Sequence, residues 1–409
     1  LDGAIAVLEA RARIDELIVP IAETESAALR AALGRTLAHE VVSPIDVPAY
    51  DNAAMDGYAL RGDDLATTGP TTLTLAGSAL AGRTFTPYVA SGSCVRVTTG
   101  AVLPEPCDTV VMQEYCRLEG AMVIVEAGQK PLENRRRRGE DLGAGQAALP
   151  AGRVLVPADL GLLASLGIAQ VSVHRRARVA FFTTGDELRS LGETLDPGSV
   201  YDSNRYTLSG MLERLGVEVI DLGVVRDRLE DVSQALVRAA RGADAVLSSG
   251  GISQGEADYT RRAVEAMGSI SFASVAVKPG RPMAAGVLHC EGRQVPFFGL
   301  PGNPVAVMVM FYVFVRDALL RLSGARSAPI PLLCATSDSA LRKGRARTEY
   351  LRGVVYPGPQ GWRVRTTGAQ GSGILRSMSE ANCLIVLEHE RGDVAAGEVV
   401  NALPLYGLV

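Results

Sequence analysis

Between Arg178 and Leu322 the period of the apolar residues switches back and forth, and nothing else in the chain constrains its fold as strongly. Arg178–Thr184, Val217–Leu222, Ala245–Ser248, Phe272–Val277 and Pro296–Leu300 read as strands. Helical spacing covers Arg205–Leu215, Leu229–Ala240, Tyr259–Met267 and Pro304–Leu322, and Met283–Gln294 is hairpin-like. Strands alternating with helices imply right-handed crossovers and a mostly parallel, doubly wound sheet with helices on both faces. The longest apolar run, Val305–Val315, is closed by Arg316 and is too short to span a bilayer, so it reads as a buried helix.

The flanking segments are written differently. Residues 1–45 have helical spacing at Ala4, Leu8, Ile14, Leu17 and Ile18, and Thr24 and Ser26 could cap a second helix over Ala27–Leu37. Residues 46–139 hold short Val- and Thr-rich runs between Gly and Pro clusters: Thr71–Ala76, Cys94–Thr98, Thr109–Gln113 and Ala121–Val125, with a turn at Leu118–Gly120. Residues 140–176 carry one helix, Ala158–Leu166. Short strands return in 325–409 at Glu349–Val355, Trp362–Arg365, Cys383–Leu387 and Glu398–Ala402. The expected fold is therefore multidomain, a central α/β domain (177–324) with two small β units.

A net charge of −4 argues against a nucleic-acid coat, which would need a basic excess. Hence the run Arg135–Arg138 reads as a solvated loop when taken alone. The six cysteines form no C-x-x-C pair and suit a reducing cytoplasm. The four histidines are scattered, so no transition-metal site is expected. No membrane association is expected either.

Ligands of open α/β sheets sit beyond the carboxyl ends of the strands. Those ends read Thr184-Gly185-Asp186-Glu187, Arg226-Asp227, Ser248-Ser249-Gly250-Gly251-Ile252-Ser253-Gln254-Gly255-Glu256-Ala257-Asp258, Lys278-Pro279-Gly280-Arg281-Pro282 and Pro301-Gly302-Asn303. Turns alone would supply Gly and Pro but not charge at four of the five ends. The loop with Ser248, Gly250, Gly251, Ser253 and Gly255 lets backbone N–H groups approach an anion before a helix. Asp186, Glu187, Asp227 and Asp258 are hard oxygen ligands suited to Mg²⁺ beside phosphates, although an acid before a helix also serves as an N-cap. Lys278 and Arg281 offer positive charge to an oxyanion. The pattern describes a binder of a phosphorylated small molecule with Mg²⁺, without specifying a reaction.

Together these segments resemble the molybdopterin molybdenumtransferase family. The most specific stretch is Pro48-Ala49-Tyr50-Asp51-Asn52-Ala53-Ala54-Met55-Asp56-Gly57-Tyr58-Ala59. It is joined by Arg96-Val97-Thr98-Thr99-Gly100-Ala101, Arg138-Gly139-Glu140-Asp141, Thr184–Leu188, Gly250–Tyr259, Lys278–Pro282 and Gly299–Pro304. The resemblance implies an elongated, discontinuous helical domain from 1–45 and 140–176, with the 46–139 β unit inserted into it. It further implies a homodimer whose active sites are shared, so that Asp56, Thr99 and Asp141 of one subunit meet the α/β loops of the other.

The implied reaction is Mg²⁺-dependent: molybdate is placed on the dithiolene of adenylylated molybdopterin and AMP is released. Glu187 and Asp258 would join Asp56, Thr99 and Asp141 as catalytic residues. Lys278, Arg281, the backbone at Pro282, Arg352 and Ser372 would hold molybdate, and Pro301 and Asn303 would complete the substrate site. The resemblance also implies that an arginine of Arg135–Arg138 meets phosphate, and it suggests the molybdopterin adenylyltransferase as a partner. Arg281 stands where many relatives have lysine, and Gln254 where they have a small or apolar residue. Two other readings share the α/β domain: an adenylyltransferase, which needs only that domain, and a binding scaffold. Nothing in these residues separates molybdate from tungstate.

Overall fold

The computed structural model describes residues 3–252, 258–326 and 330–405. The α/β domain is built on a six-stranded sheet in the order Glu218–Val225, Arg178–Thr184, Ala245–Ser249, Arg293–Leu300, Ala284–Cys290, Gly268–Phe272. Only Ala284–Cys290 runs against its neighbours. Alternate residues of the strands feed two cores, as period two requires. Val179 and Phe181 face Leu208, Leu212 and the helical run from Val305 to Leu322, while Ala180 and Phe182 face Val232, Leu236, Ala239, Ala263 and Val264. Helices Ser203–Arg214 and Pro304–Met310 thus cover one face, and Leu229–Gly242 and Tyr259–Met267 the other. The apolar run ends in a π-helical stretch, Phe311–Val315, and is buried except at Met308, which is partly buried. Among the described residues no helix is long and apolar enough to cross a membrane.

One expectation about the α/β domain needs correction. The strand expected at Phe272–Val277 ends at Phe272. Val277–Lys278 forms a separate strand that leaves this sheet and pairs, parallel, with Thr348–Gly358 of the C-terminal unit. That unit's six-stranded sheet therefore contains a piece of the α/β domain.

The inserted unit is a six-stranded sheet in the order Thr109–Met112, Gly57–Leu60, Ser93–Val97, Thr71–Ala79, Met122–Val125, Cys116–Glu119. The unit expected to be helical is mixed. Pro157–Ser165 is a helix, but Thr24–Ala28 is a strand paired with Gln170–His174, followed by one 3-10 turn, Leu29–Ala31. The helix expected over Ala27–Leu37 does not form. Leu33 is exposed, so the row Leu29, Leu33, Leu37 makes no apolar face, and pairing with β-branched Val171 and Val173 overrides local propensity. Helix Val7–Leu17 forms, but Ala10, Ile14 and Ile18 pack into the α/β core beside Phe181, Leu212 and Phe311.

Candidate functional site

Connections from Arg178–Thr184 go first to Glu218–Val225 on one side and then return to Ala245–Ser249 on the other. This reversal opens a crevice beyond the carboxyl ends of 178–184 and 245–249, where open α/β sheets take ligands. Gly250 sits there with φ +89°, and a Cβ on it would lie 2.2 Å from the Thr184 carbonyl oxygen. Gly251, at φ +65°, would place one 2.4 Å from Thr260 Oγ1. Both glycines are required for the loop to lie against the strand end.

An asparagine that the strand-end search passed over ties this floor together. Asn204 Nδ2 donates to Ser249 Oγ at 2.9 Å and to Gly302 O at 2.7 Å. Ser249 Oγ in turn donates to Pro301 O at 3.1 Å, and Gly250 N to Leu300 O at 3.1 Å. Asp202 precedes it: its carboxylate accepts from Arg205 N at 3.1 Å, capping the helix, and from Thr183 Oγ1 at 2.5 Å. The run Asp202-Ser203-Asn204 before a helix is a cap signature and could have drawn attention to it. Ser248, expected to bind substrate, is instead fully buried within the sheet, and its Oγ has no partner. Its neighbour Ser249 occupies the strand end. The Asn303 side chain caps nothing and is exposed beside Pro301. Ser253 and Gly255 lie outside the described residues.

The acids gather at the same end of the sheet. Asp227 is half-buried. Burial first, then the negative charge of Asp186 and that of Glu187, raise its carboxyl pKa above the usual range, opposed by a 3.5 Å contact from Thr184 Oγ1. Asp258 is 6% exposed and caps helix Tyr259–Met267, accepting from Arg261 N at 2.8 Å. The capping role weighed for it is therefore real, and one of its oxygens is committed to it. Among the described residues no three Asp, Glu, His or Cys side chains converge tightly enough to hold a metal unaided. Mg²⁺ keeps waters and takes one or two carboxylates plus substrate phosphates, so the carboxylates of Asp186, Glu187 and Asp227 are of the right chemical type. The mutual repulsion felt by Asp227 is what a divalent cation would relieve, so the donor set fits.

A second, basic cavity of about 170 Å³ is lined by Lys278, Pro279, Gly280, Arg281 and Arg347. Arg281 Nε is buried without an acceptor. Glu349, only 1% exposed, accepts from Arg347 Nε at 2.8 Å and lies 3.5 Å from Lys278 Nζ. One buried carboxylate thus faces two cations, and Arg281 adds a third. Neither Arg347 nor Glu349 had been singled out, because they come from the other domain. A Cβ on Gly280 would sit 2.8 Å from Met310. Met310 lies roughly 10 Å along the helix axis from Asn303 at 1.5 Å per residue, so the two loop clusters flank one helix.

Arg352 is placed otherwise than expected. It is 0% exposed, and its guanidinium donates to Ser377 Oγ and to the carbonyls of Ala369, Gln370 and Gly371. Contact with an oxyanion would require these bonds to be exchanged. As it stands, Arg352 pins the loop whose Ser372 carbonyl accepts from Val305 N at 3.2 Å, beside Pro301–Asn303. Pro282 is half-buried after Arg281.

In the inserted unit, Gly57 pairs with Val97, so Asp56 and Thr99 come to one edge of the sheet. Asp56 Oδ1 accepts from Thr99 N at 2.7 Å and Thr99 Oγ1 at 2.9 Å, which lower its pKa. Gly57 is forced: a Cβ there would fall 2.0 Å from Val111 O. Asp141 is exposed, anchored through its N–H to Val47 O. Arg135 pairs with Asp51, and Arg138 with Asp46 at 2.5 Å, while the exposed Arg136 and Arg137 stand in no ion pair with a described carboxylate. No hydrogen bond or ion pair among the described residues links 46–139 to 177–324 within one chain.

Three family profiles match in chain order: "MoeA N-terminal region (domain I and II)" over residues 5–167, "Probable molybdopterin binding domain" over 180–321, and "MoeA C-terminal region (domain IV)" over 335–405. A molybdopterin molybdenumtransferase of Haemophilus influenzae is 41% identical over 404 residues, 98% of each chain. One from Nostoc is 35% identical, covering 94% of this chain and 89% of that protein. The crystal structure of a molybdopterin biosynthesis moeA protein from Pyrococcus horikoshii superposes with a TM-score of 0.84 at 29% identity, covering 98% of this chain and 99% of that one.

Proposed function

Because the chain belongs to the molybdopterin molybdenumtransferase family and so to molybdenum cofactor biosynthesis, we propose that it performs the insertion step itself. In this reading molybdate and adenylylated molybdopterin are its substrates, molybdate is transferred to the dithiolene, and AMP leaves. The observation that carries the reading is the pairing of two anion sites of different character across helix Pro304–Met310. The crevice at Gly250 gathers Asp186, Glu187 and Asp227, and the basic cavity gathers Lys278, Arg281 and Arg347 around the single carboxylate of Glu349.

Each group then has a task. Backbone N–H groups around Gly251 donate to phosphate oxygens, and Asn204 holds the Ser249 and Gly302 loops at a fixed spacing around them. Asp186, Glu187, Asp227 and Asp258 would hold Mg²⁺, which when bound neutralises charge on the phosphoanhydride. Lys278, Arg281 and Arg347 bind the tetrahedral dianion, with Glu349 fixing Lys278 and Arg347 in place. Asp56, kept ionised by its two bonds from Thr99, is an acceptor only, and it acts with Asp141 in the crevice of a second subunit.

Subunit mixing tests this. Asp56→Ala and Asp258→Ala are each expected to abolish molybdate-dependent AMP release. Refolded together in equal amounts they recover about a quarter of the activity, since half the dimers are mixed and each mixed dimer keeps one intact site. No recovery on mixing sinks the shared site. Formation of adenylylated molybdopterin from ATP without molybdate-dependent AMP release sinks the insertion reaction.

A further inference from the structure

A second concentration of positive charge lies away from both loop clusters. Where the mixed unit meets the α/β domain, a cleft of about 180 Å³ is lined by Arg35, Arg175, Arg176, Arg214, Arg316 and His174, and no carboxylate is among its lining residues. Several of these cations are balanced from behind: Arg35 by Glu25, Arg175 by Asp244 at 2.8 Å, and Arg316 by Asp317 at 2.6 Å. Arg176 and Arg214 stand in no ion pair with a described carboxylate. Arg176 donates to the Gly216 carbonyl, and Arg214 ends helix Ser203–Arg214, where the helix dipole favours a cation. Carbonyls satisfy hydrogen bonds there but do not cancel two full charges.

Like charges brought to one concave surface focus the field and raise the local concentration of anions. The geometry points to a binding site for a tetrahedral oxyanion, either free or as the terminal phosphate of a larger molecule, that bridges the two units. The cleft is smaller than the roughly 300 Å³ at which pockets begin to enclose drug-sized ligands, so it takes the anionic group and leaves any organic remainder outside. An occupant would draw Arg35 and Arg175, from segments of the mixed unit, toward Arg214 and Arg316 of the α/β domain. It would therefore tie together two parts of the chain that are distant in sequence.

The site is separable from the insertion reaction by its residues. Inorganic phosphate and AMP are titrated into the full-length protein by calorimetry at low ionic strength, in a Lys278→Ala/Arg281→Ala background that removes the basic cavity. Phosphate binding is expected to persist there and to weaken at least tenfold when Arg176→Ala/Arg214→Ala is added. Of the binding that is lost with the Arg176 and Arg214 substitutions, a tighter AMP than phosphate component identifies a phosphomonoester as the occupant of the cleft, and the reverse identifies a free oxyanion. Arg176→Gln/Arg214→Gln replaces the alanine pair if that pair fails to fold. Phosphate affinity unchanged by the Arg176 and Arg214 substitutions overturns the proposal. So does a shift from dimer to monomer in sedimentation with no loss of anion binding, which would mean that a partner's carboxylate fills the cleft.

Discussion

Gly250→Ala perturbs the crevice at a point where the cost can be worked out. The added Cβ would lie 2.2 Å from the Thr184 carbonyl oxygen, against about 3.3 Å for an ordinary close carbon–oxygen approach. Thr184 is held in the sheet by its neighbouring strands, so the loop must retreat by about 1 Å. The positive φ adds about 1–2 kcal/mol for a residue with a Cβ, and overpacking about 1–3 kcal/mol, together roughly 2–5 kcal/mol of lost stability. A displacement of about 1 Å at a positioning loop can cost on the order of 100-fold in rate. Gly302 is the internal control. A Cβ there meets nothing closer than the Gly250 Cα at 3.8 Å, and its φ is not positive, so Gly302→Ala should change stability by no more than about 0.5 kcal/mol. Urea denaturation followed by far-UV circular dichroism, with AMP release measured on the same samples, compares the two. Equal losses in the two variants would refute the steric argument, whatever their size.

Asp227→Asn should stabilise the protein at neutral pH. The raised carboxyl pKa means that the folded state holds this proton more tightly than the unfolded chain. Folding therefore loses stability as pH rises from about 4 through the folded-state value, and the variant escapes that loss. Its urea midpoint should exceed the parent's at pH 7 and converge with it below about pH 4, and added Mg²⁺ should narrow the difference. A parent more stable than the variant at pH 7 without metal would contradict this. Asn204→Ala removes a donor from the buried Ser249 Oγ and another from the part-buried Gly302 carbonyl, and is expected to cost about 1–3 kcal/mol and to reduce kcat/KM. Asn204→Asp should regain activity as pH falls and the new carboxyl protonates, a dependence absent in the parent. Arg352→Met leaves the carbonyls of 369–371 without their donors, with an expected loss of about 3 kcal/mol or more by thermal melting.

The α/β domain was legible because each strand and helix there satisfies its own period and the connections are short. Asp186, Glu187, Asp227, Gly250 and Gly251 follow from the rule about strand ends. What escaped were residues whose roles depend on pairing over distance. Thr24–Ala28 becomes a strand only because Gln170–His174 lies beside it, and Gly57–Leu60, paired on both sides within its sheet, lacks a long Val-rich run. Glu349 reads as one more acid in a strand until Lys278 is brought opposite it. Arg352 carries charge, so it invites an anion, yet four carbonyl or hydroxyl acceptors already surround it. Ser248 and Ser249 are adjacent and chemically alike, and only the register of the strand decides which of them reaches the crevice.

The short ladder Val277–Lys278 against Thr348–Glu349 stitches the basic cavity across a domain boundary, with its floor acid on one side and two of its cations on the other. Such a seam makes the C-terminal module poor material for grafting. A chimera that imports this module from a relative also imports a new counterpart for Lys278, and the recipient's half was never matched to it. Changes on either side of the seam should accordingly be inherited in pairs.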